Sequence, residues 1–308
     1  MNHTKRWSYA LTLILVIIGY FLLTGLISSG MISRYQTTVM IFICINIILA
    51  VSLNITVGCL GQITIGHAGF MSVGAYTAAL FAKTGIVEGL PGYIIALIVG
   101  GIVAGIVGIV IGIPALRLNG DYLAIITLAF GEIIRVLVEY FDFTGGAQGL
   151  RGIPRFNKFG VIYIIMVLCV MMMFSLMTSR HGRAILAIRD DEIASGASGI
   201  NTTYYKTFAF TVSAIFAGVA GGIYAHNLGI LGARQFNYSI NILVMVVLGG
   251  MGSFTGSILS AIALTILPEV LREFSDYRMI VYSLLLILTM IFRPTGLLGR
   301  KEFQISKF

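Results

Sequence analysis

The stretch GGIVAGIVGIVIG, from Gly100 to Gly112, contains only glycine, alanine, isoleucine and valine. It lies within an apolar run over residues 92–116, which as a helix is long enough to cross a hydrocarbon core of about 30 Å. Glycines four residues apart are typical of membrane helices whose backbones approach one another closely. This spacing occurs at Gly101 and Gly105, at Gly108 and Gly112, and further along the chain at Gly218 and Gly222. The stretch therefore predicts a closely packed helix within a membrane.

The rest of the chain has the same character. Of its 308 residues, 58% are hydrophobic and only 10% are charged, whereas about 25% of the residues of soluble domains are charged. We therefore predict an all-α integral membrane protein, with a single transmembrane domain over residues 1–308 and about ten spans (eight to ten), some short or broken. The predicted spans are 8–29, 37–57, 67–82, 92–116, 121–141, 160–178, 207–228, 240–252, 256–272 and 278–292.

The distribution of basic residues predicts the orientation of the chain. Lysine and arginine occur near both termini and in the loop 180–206. These regions share one side of the membrane only if the number of spans is even, and the positive-inside rule then places both termini in the cytoplasm. The net charge of +8 is spread over loops and helix ends, without the clustered basic face that indicates a nucleic acid partner.

Two of the predicted spans are short and adjoin glycine-rich sequence. These are VGCLGQITIGHAGF (Val57–Phe70) and LGGMGSFTGS (Leu248–Ser257), which share the pattern G-x-x-G-x-x-T. Such sequence favours broken helices, because irregular backbone at membrane depth persists only where protein or a water-filled cavity satisfies its polar groups. Two interpretations remain open: the breaks border a solute route, as in many transporters, or the glycines only allow close packing.

Polar side chains in and beside the spans are the candidates for a translocation pathway. Gln62, Thr64 and His67 lie in the first glycine-rich stretch, where they either line a cavity or cap a broken helix. Glu132 and Arg135 are three residues apart, so they can form an ion pair on one helical face. This pair either meets a zwitterionic solute or fixes one helix against another.

The segment GRAILAIRDDEIASGASGIN, from Gly182 to Asn201, is the most charged part of the loop 180–206. We predict one short helix that begins at its acidic residues and ends at Gly199 and Asn201. Its narrow apolar stripe of Ile193, Ala194, Ala197 and Ile200 suits a groove on another protein better than the lipid interface, where a basic polar face is usual. The predicted energy-coupling residues are Arg189, Asp190, Asp191, Glu192, Ile193, Ala194, Ala197 and Gly199.

Several motifs are missing from the sequence. There is no G-x-x-x-x-G-K-[ST] loop for phosphate, no H-E-x-x-H and no nucleophile elbow. The cysteines and histidines are few and lack metal-ligand spacing. We therefore predict no enzyme activity and no catalytic, cofactor-binding or metal-binding residues, so the energy for transport has to come from another chain.

Taken together, the motifs resemble those of one permease family. The sequences GRAILAIRDD and EIASGASGI are similar to the cytoplasmic loop of ABC importer permeases, and the chain resembles the LivM type of branched-chain amino acid permease. Six further stretches carry this resemblance in order: GQITIGHAGFMSVGAYTAAL, LRLNGDYLAIITLAFGEIIRV, FTGGAQGLRGIP, AFTVSAIFAGVAGGIYA, VMVVLGGMGSFTGSILSAI and RPTGLLG.

The resemblance implies a function and a set of partners. It implies an ABC importer permease fold in the bacterial inner membrane, and a pathway for leucine, isoleucine and valine formed with a LivH-like permease. Two cytoplasmic ATPases that bind ATP and Mg, and an extracytoplasmic solute-binding protein, complete the implied complex. The short acidic helix is then the coupling helix seated on an ATPase. Urea or short amides as the solute, and an ion-coupled secondary transporter, are the alternatives.

One loop predicts the contact with the implied binding protein. FTGGAQGLRGIPRFNK, from Phe143 to Lys158, connects two spans on the side opposite the loop 180–206. Its basic residues Arg151, Arg155 and Lys158 suit an acidic rim on a binding protein. A loop that is simply solvated is the other interpretation.

Overall fold

Hydropathy alone locates most helices of this chain to within a few residues. A computed structural model describes residues 3–118, 120–236 and 238–271, together with scattered positions between 280 and 299. Within these residues the α-helices are α1 (His3–Ser28), α2 (Arg34–Asn54), α3 (His67–Lys83), α4 (Gly89–Ala115), α5 (Asp121–Tyr140), α6 (Phe159–Thr178), α7 (Arg180–Asp190), α8 (Glu192–Ala197), α9 (Thr202–Leu228), α10 (Ser239–Gly249) and α11 (Phe254–Val270). Most of the predicted tenth span, 278–292, and the C-terminus lie outside the described residues.

The described chain is all-α apart from one pair of very short strands. Four stretches of the described chain are long and apolar enough to cross a membrane: Arg34–Cys59, Gly89–Ala115, Phe159–Thr178 and Thr202–Leu228. Shorter apolar helices lie at Val16–Ser28, Ser239–Gly249 and Phe254–Val270. The described strands are only the two-residue β1 (Leu150–Arg151) and β2 (Ile230–Leu231), which pair in antiparallel fashion.

The core is a three-helix unit of α3, α4 and α9 with α2 packed beside it. Glycine makes these contacts possible, because a Cβ on Gly74 would lie 2.2 Å from the Cα atom of Gly218. Likewise, a Cβ on Gly105 would lie 2.6 Å from the side chain of Ile215. The predicted close packing of the glycine-rich stretch in α4 is therefore confirmed, and its partner is α9.

Both predicted broken helices are present. After Asn54 the backbone of α2 widens into a π-helical turn, Ile55–Cys59, and residues 60–66 are irregular before α3 begins. In the second case α10 has only 11 residues and is followed by a tight turn with positive φ at Gly250 and Gly252. Each break lies against other protein segments, which satisfies the condition for irregular backbone within a membrane.

The bundle has two distinct ends. At one, which we call the α8 end, the last turns of α2, α6 and α10 lie near the first turns of α9 and α11, beside α7 and α8. The other, which we call the loop end, carries the segment 141–158 and the β1–β2 pair at the end of α9. α1 packs at the periphery against α6, where Tyr163 donates a hydrogen bond to the carbonyl of Val16.

Candidate functional site

The predicted coupling segment contains two helices rather than one. Asp190 is the last residue of α7, and Asp191 is extended, with φ −156° and ψ 111°. The Asp191 carboxylate accepts a hydrogen bond of 2.9 Å from the backbone N–H of Ala194, so it begins α8 along a new direction. The predicted short helix is α8, which Asp191 caps and whose first turn contains Glu192, but the prediction was wrong for Asp190, which ends α7 instead.

The end of α8 also differs in part from the prediction. Gly199 follows the helix with φ +86°, a left-handed conformation that favours glycine and ends the helix there. Asn201 instead begins the next helix, because its side chain accepts a hydrogen bond from the N–H of Tyr204 and so caps α9. The loop between α8 and α9 is consequently only four residues long.

The apolar stripe of α8 is exposed at its centre. Ile193 has 86% of its surface exposed, and Ala194 and Ala197 beside it are exposed as well. Ile200 is half-buried against the apolar core. Ile193, Ala194 and Ala197 thus form a small exposed apolar surface on α8.

An ion pair fixes α8 to the bundle. The Glu192 carboxylate lies 2.5 Å from the ammonium group of Lys206 in the first turns of α9. Only 4% of Lys206 is exposed, so this carboxylate compensates a buried positive charge. Sequence reasoning missed this residue, although a lone lysine followed by more than 20 residues of apolar or uncharged helix is a signal for a partner.

The candidate pathway residues of the first glycine-rich stretch lie close to α5. Thr64 and His67 are buried and Gln62 is half-buried. The hydroxyl of Thr127 on α5 accepts a hydrogen bond from the N–H of Ile65, and a small cleft between Thr64 and Thr127 continues towards Phe130. The Oε1 atom of Gln62 is buried without a hydrogen bond within the described chain, and an ordered water commonly satisfies such an atom.

His67 makes a structural contact. Its Nε2 atom lies 2.9 Å from the hydroxyl of Ser52 on α2, and its ring is buried. The N–H of the next residue, Ala68, donates to the hydroxyl of Ser239 at the start of α10. The first turn of α3 is therefore held by side chains of α2 and α10, and the His67 ring bonds to a side chain rather than to the free backbone groups of a helix end.

The predicted pair on α5 is confirmed and is part of a larger network. Arg135 binds the carboxylate of Glu132 and, at 2.9 Å, that of Glu139 one turn further on. The Glu132 side chain is 54% exposed, on the same helical face as the exposed residues Ile125, Leu128 and Val136. Arg135 thus joins two carboxylates along α5, at least one of which lies on the exposed face of that helix. With one cation and two anions, the network carries a net negative charge.

The segment at the loop end is folded onto the bundle. Phe156 stacks on Tyr93 at 4.2 Å between ring centroids, and its N–H donates to the carbonyl of His226. β1 pairs with β2 directly after α9, so the segment is attached at two points. Arg151, Arg155 and Lys158 are all exposed on this segment, so their positive charges are presented from an ordered backbone.

The structure groups these residues in three places. Glu192, Ile193, Ala194 and Ala197 lie at the α8 end, and Arg151, Arg155 and Lys158 lie at the loop end. Between them, Thr64 approaches α5 near Thr127, whereas Glu132 and Arg135 face outwards one to two turns further along. Arg189 points away from the tip of α8, with its Nη1 atom 3.4 Å from the carbonyl oxygen of Gly58.

Comparisons with known proteins agree on one family. Residues 35–291 match the family described as branched-chain amino acid transport system / permease component. The high-affinity branched-chain amino acid transport system permease protein LivM of Salmonella typhimurium is 37% identical to this chain over 90% of the chain and 73% of its own length. LivH of the same organism is 24% identical over 83% of the chain and 92% of its length.

A more distant relative is the probable branched-chain amino acid transport permease protein LivM of Methanocaldococcus jannaschii. It is 25% identical over 72% of both chains. No solved structure matches the chain.

Proposed function

The chain belongs to the family of permease components of branched-chain amino acid transport systems, and we propose that it is a membrane subunit of an ATP-driven importer of leucine, isoleucine and valine. The relatives LivM and LivH, which are branched-chain amino acid transport system permease proteins, support this class of solute. These relatives are permeases, and the sequence has no phosphate-binding loop of its own. Two separate ATPase subunits, which bind ATP and Mg, supply the energy in this proposal.

The observation that carries the proposal is the geometry of α8. Its exposed apolar residue Ile193 offers a contact to a partner. The ion pair between Glu192 and Lys206 fixes the first residue of α8 to α9. A helix that is exposed on one side and fixed on the other transmits displacement rather than absorbing it. We propose that the α8 end is cytoplasmic and that α8 is the coupling helix seated on an ATPase, within a single permease domain whose termini also lie in the cytoplasm.

The charged network on α5 supports a second permease subunit. Exposed carboxylates within a membrane-spanning bundle are costly against lipid, so the face around Glu132 is expected to meet protein or water. A LivH-like permease against this face would complete a route between the two subunits. Gln62 and Thr64 border that route in this proposal, and His67 supports them from behind through Ser52.

The loop end then faces the solute-binding protein. Arg151, Arg155 and Lys158 present positive charge from a segment whose backbone is already fixed, which lowers the entropic cost of binding. In a bacterial inner membrane this end lies on the extracytoplasmic side.

Uptake by the reconstituted complex tests the proposal. Proteoliposomes that contain this chain, its second permease, the ATPases and the binding protein should accumulate labelled leucine only when ATP is present on the ATPase side. Accumulation driven by an ion gradient without the ATPases would identify a secondary transporter. Uptake of urea or short amides in place of leucine would identify the other solute class.

A substitution at the tip of α8 tests the coupling contact. Ile193→Asp places a charge in the proposed groove and should reduce the amount of ATPase that copurifies with the tagged permease. Ile86→Asp is the matched control, since Ile86 is similarly exposed in the turn between α3 and α4. Equal ATPase recovery with both variants would contradict the assignment of α8.

A further inference from the structure

Arg189 lies where four segments of the chain meet. Its side chain contacts the glycine junction, which we define as Gly58 and Gly61 after α2 together with Gly252 in the turn between α10 and α11. The Nη1 atom donates to the Gly58 carbonyl oxygen at 3.4 Å, and a Cβ on Gly252 would lie 3.5 Å from the same atom. Arg189 itself is the penultimate residue of α7, two residues before the Asp191 cap of α8.

The glycine junction joins the two broken membrane segments to each other. A Cβ on Gly58 would lie 2.2 Å from the backbone nitrogen of Gly252, so the two backbones are in direct contact. The buried side chain of Asn54 accepts from the Gly252 N–H at 2.9 Å and donates to the Ser253 carbonyl at 3.0 Å. The end of α2 and the α10–α11 turn therefore move together.

The fit of the arginine to this junction uses its whole side chain. Gly61 has φ +77°, and a Cβ there would lie 2.8 Å from the Cγ atom of Arg189, so the aliphatic part packs directly on the glycine backbone. The guanidinium spans two acceptors. Its Nε and Nη2 atoms donate to the Asp190 carboxylate at 3.1 and 3.0 Å, while Nη1 donates to the Gly58 carbonyl oxygen. A planar group with several fixed donors can hold both acceptors at once, which a lysine ammonium cannot do from this position.

We propose that Arg189 is the positioning residue that connects the coupling helix to both broken membrane segments. Displacement of α8 moves the end of α7, and the guanidinium and its aliphatic stem carry that displacement to Gly58, Gly61 and Gly252. The inference rests on the proposed function, because it takes α8 as the element that a partner ATPase moves. It adds a second connection to the one through Lys206.

The ratio of solute transported to ATP hydrolysed tests this role in the reconstituted complex. Arg189→Met keeps an apolar stem over Gly61 but removes the guanidinium, and Arg189→Lys restores the charge with a single ammonium. Arg180→Met is the matched control, since Arg180 is exposed in the first turn of the same helix. We expect Arg189→Met to lower the ratio about tenfold, within the range of coupling between linked sites. Arg189→Lys should give an intermediate ratio, and the control should keep the wild-type ratio.

Two outcomes would overturn the inference. In the first, Arg189→Met lowers transport and ATP hydrolysis by the same factor, which is the result of a folding or assembly defect. In the second, Arg180→Met lowers the ratio as much as Arg189→Met, which makes the effect one of general charge on α7. Failure of the proposed function is distinguishable from both, because the wild-type complex would then show no ATP-dependent uptake at all.

Discussion

Lys206 is a buried lysine whose ammonium group depends on one carboxylate. Its ammonium group forms an ion pair with Glu192, and the rest of α9 beyond Lys206 is uncharged as far as His226. Removing one partner of a buried pair leaves the other charge without compensation, which costs more than the pair itself contributes. The substitution with the larger effect is therefore the one that removes the more exposed partner, Glu192.

We predict that Glu192→Gln destabilises the protein by about 2 kcal/mol, at the low end for a buried pair because Glu192 is half-exposed. Thermal unfolding of the purified protein in detergent measures the change. Glu88→Gln is the control, since Glu88 is exposed at the start of α4 and should leave the midpoint unchanged. Equal midpoints for the two variants would show that Lys206 does not need this carboxylate.

Arg135 and Glu132 are predicted to respond unequally to neutral substitution. Glu132→Gln leaves Arg135 paired with Glu139, whereas Arg135→Gln leaves two carboxylates about two turns apart without a cation. Arg135→Gln should therefore reduce the yield of monodisperse complex with the second permease more than Glu132→Gln does. Gel filtration of the tagged complex measures this yield, and the reverse order would argue against a bridging role for the arginine.

At the scale of helices, contact between backbones determines which glycines can be replaced. Gly74→Ala in α3 would place a Cβ 2.2 Å from Gly218, and neither backbone can move away without disturbing α4. We predict a loss of about 1–3 kcal/mol, as for other overpacked cores, seen as a lower midpoint of thermal unfolding. Gly25→Ala in α1 is the same substitution with open space around it, and it should leave the midpoint equal or slightly higher.

The sequence predicted helix positions better than it predicted contacts between helices. Apolar runs bounded the spans because a membrane requires them, and the α4 glycines predicted close packing because small residues permit it. The break at Asp191 was not predicted, since an aspartate can occupy the first turn of a helix or cap it with equal chemistry. The contact of Arg189 with Gly58 joins residues 131 positions apart, and no local pattern specifies such a partner.

The candidate site was predictable to the same extent. The pairing of Glu132 with Arg135 followed from their three-residue spacing, whereas the third member, Glu139, was identified only by the structure. His67 was open between two roles until the contact with Ser52 favoured the structural one. Side chains were therefore predictable where the partner lies within two helical turns, and they required the fold where it does not.

At the scale of the whole molecule, the exposed faces of the bundle differ in composition. The exposed side chains of α4 are apolar throughout the helix, as at Ile98, Ile102 and Ile106, whereas the exposed face of α5 includes Glu132. Lipid suits the first face, and a protein or aqueous surface suits the second.

We predict that cysteines on these two faces react with different reagents in the assembled complex. Ile106→Cys on α4 should react with a lipid-soluble thiol reagent, while Val136→Cys on α5 should be protected from it and should cross-link to the second permease. The same α5 cysteine in the isolated chain is the control and should lose both protection and cross-linking. Cross-linking from α4 rather than α5 would place the subunit interface on the other face.

α9 extends unbroken from Thr202 to Leu228, a length of about 40 Å. Its first turns contain Lys206, which forms the ion pair with α8. Directly after its last turn, β2 pairs with β1, the strand that contains Arg151. Under the proposed function, one unbroken helix therefore connects the surface proposed for the binding protein with the surface proposed for the ATPase. A solute-loaded binding protein that tilts α9 at the loop end would then change the contact with the ATPase at the α8 end, before any solute has crossed.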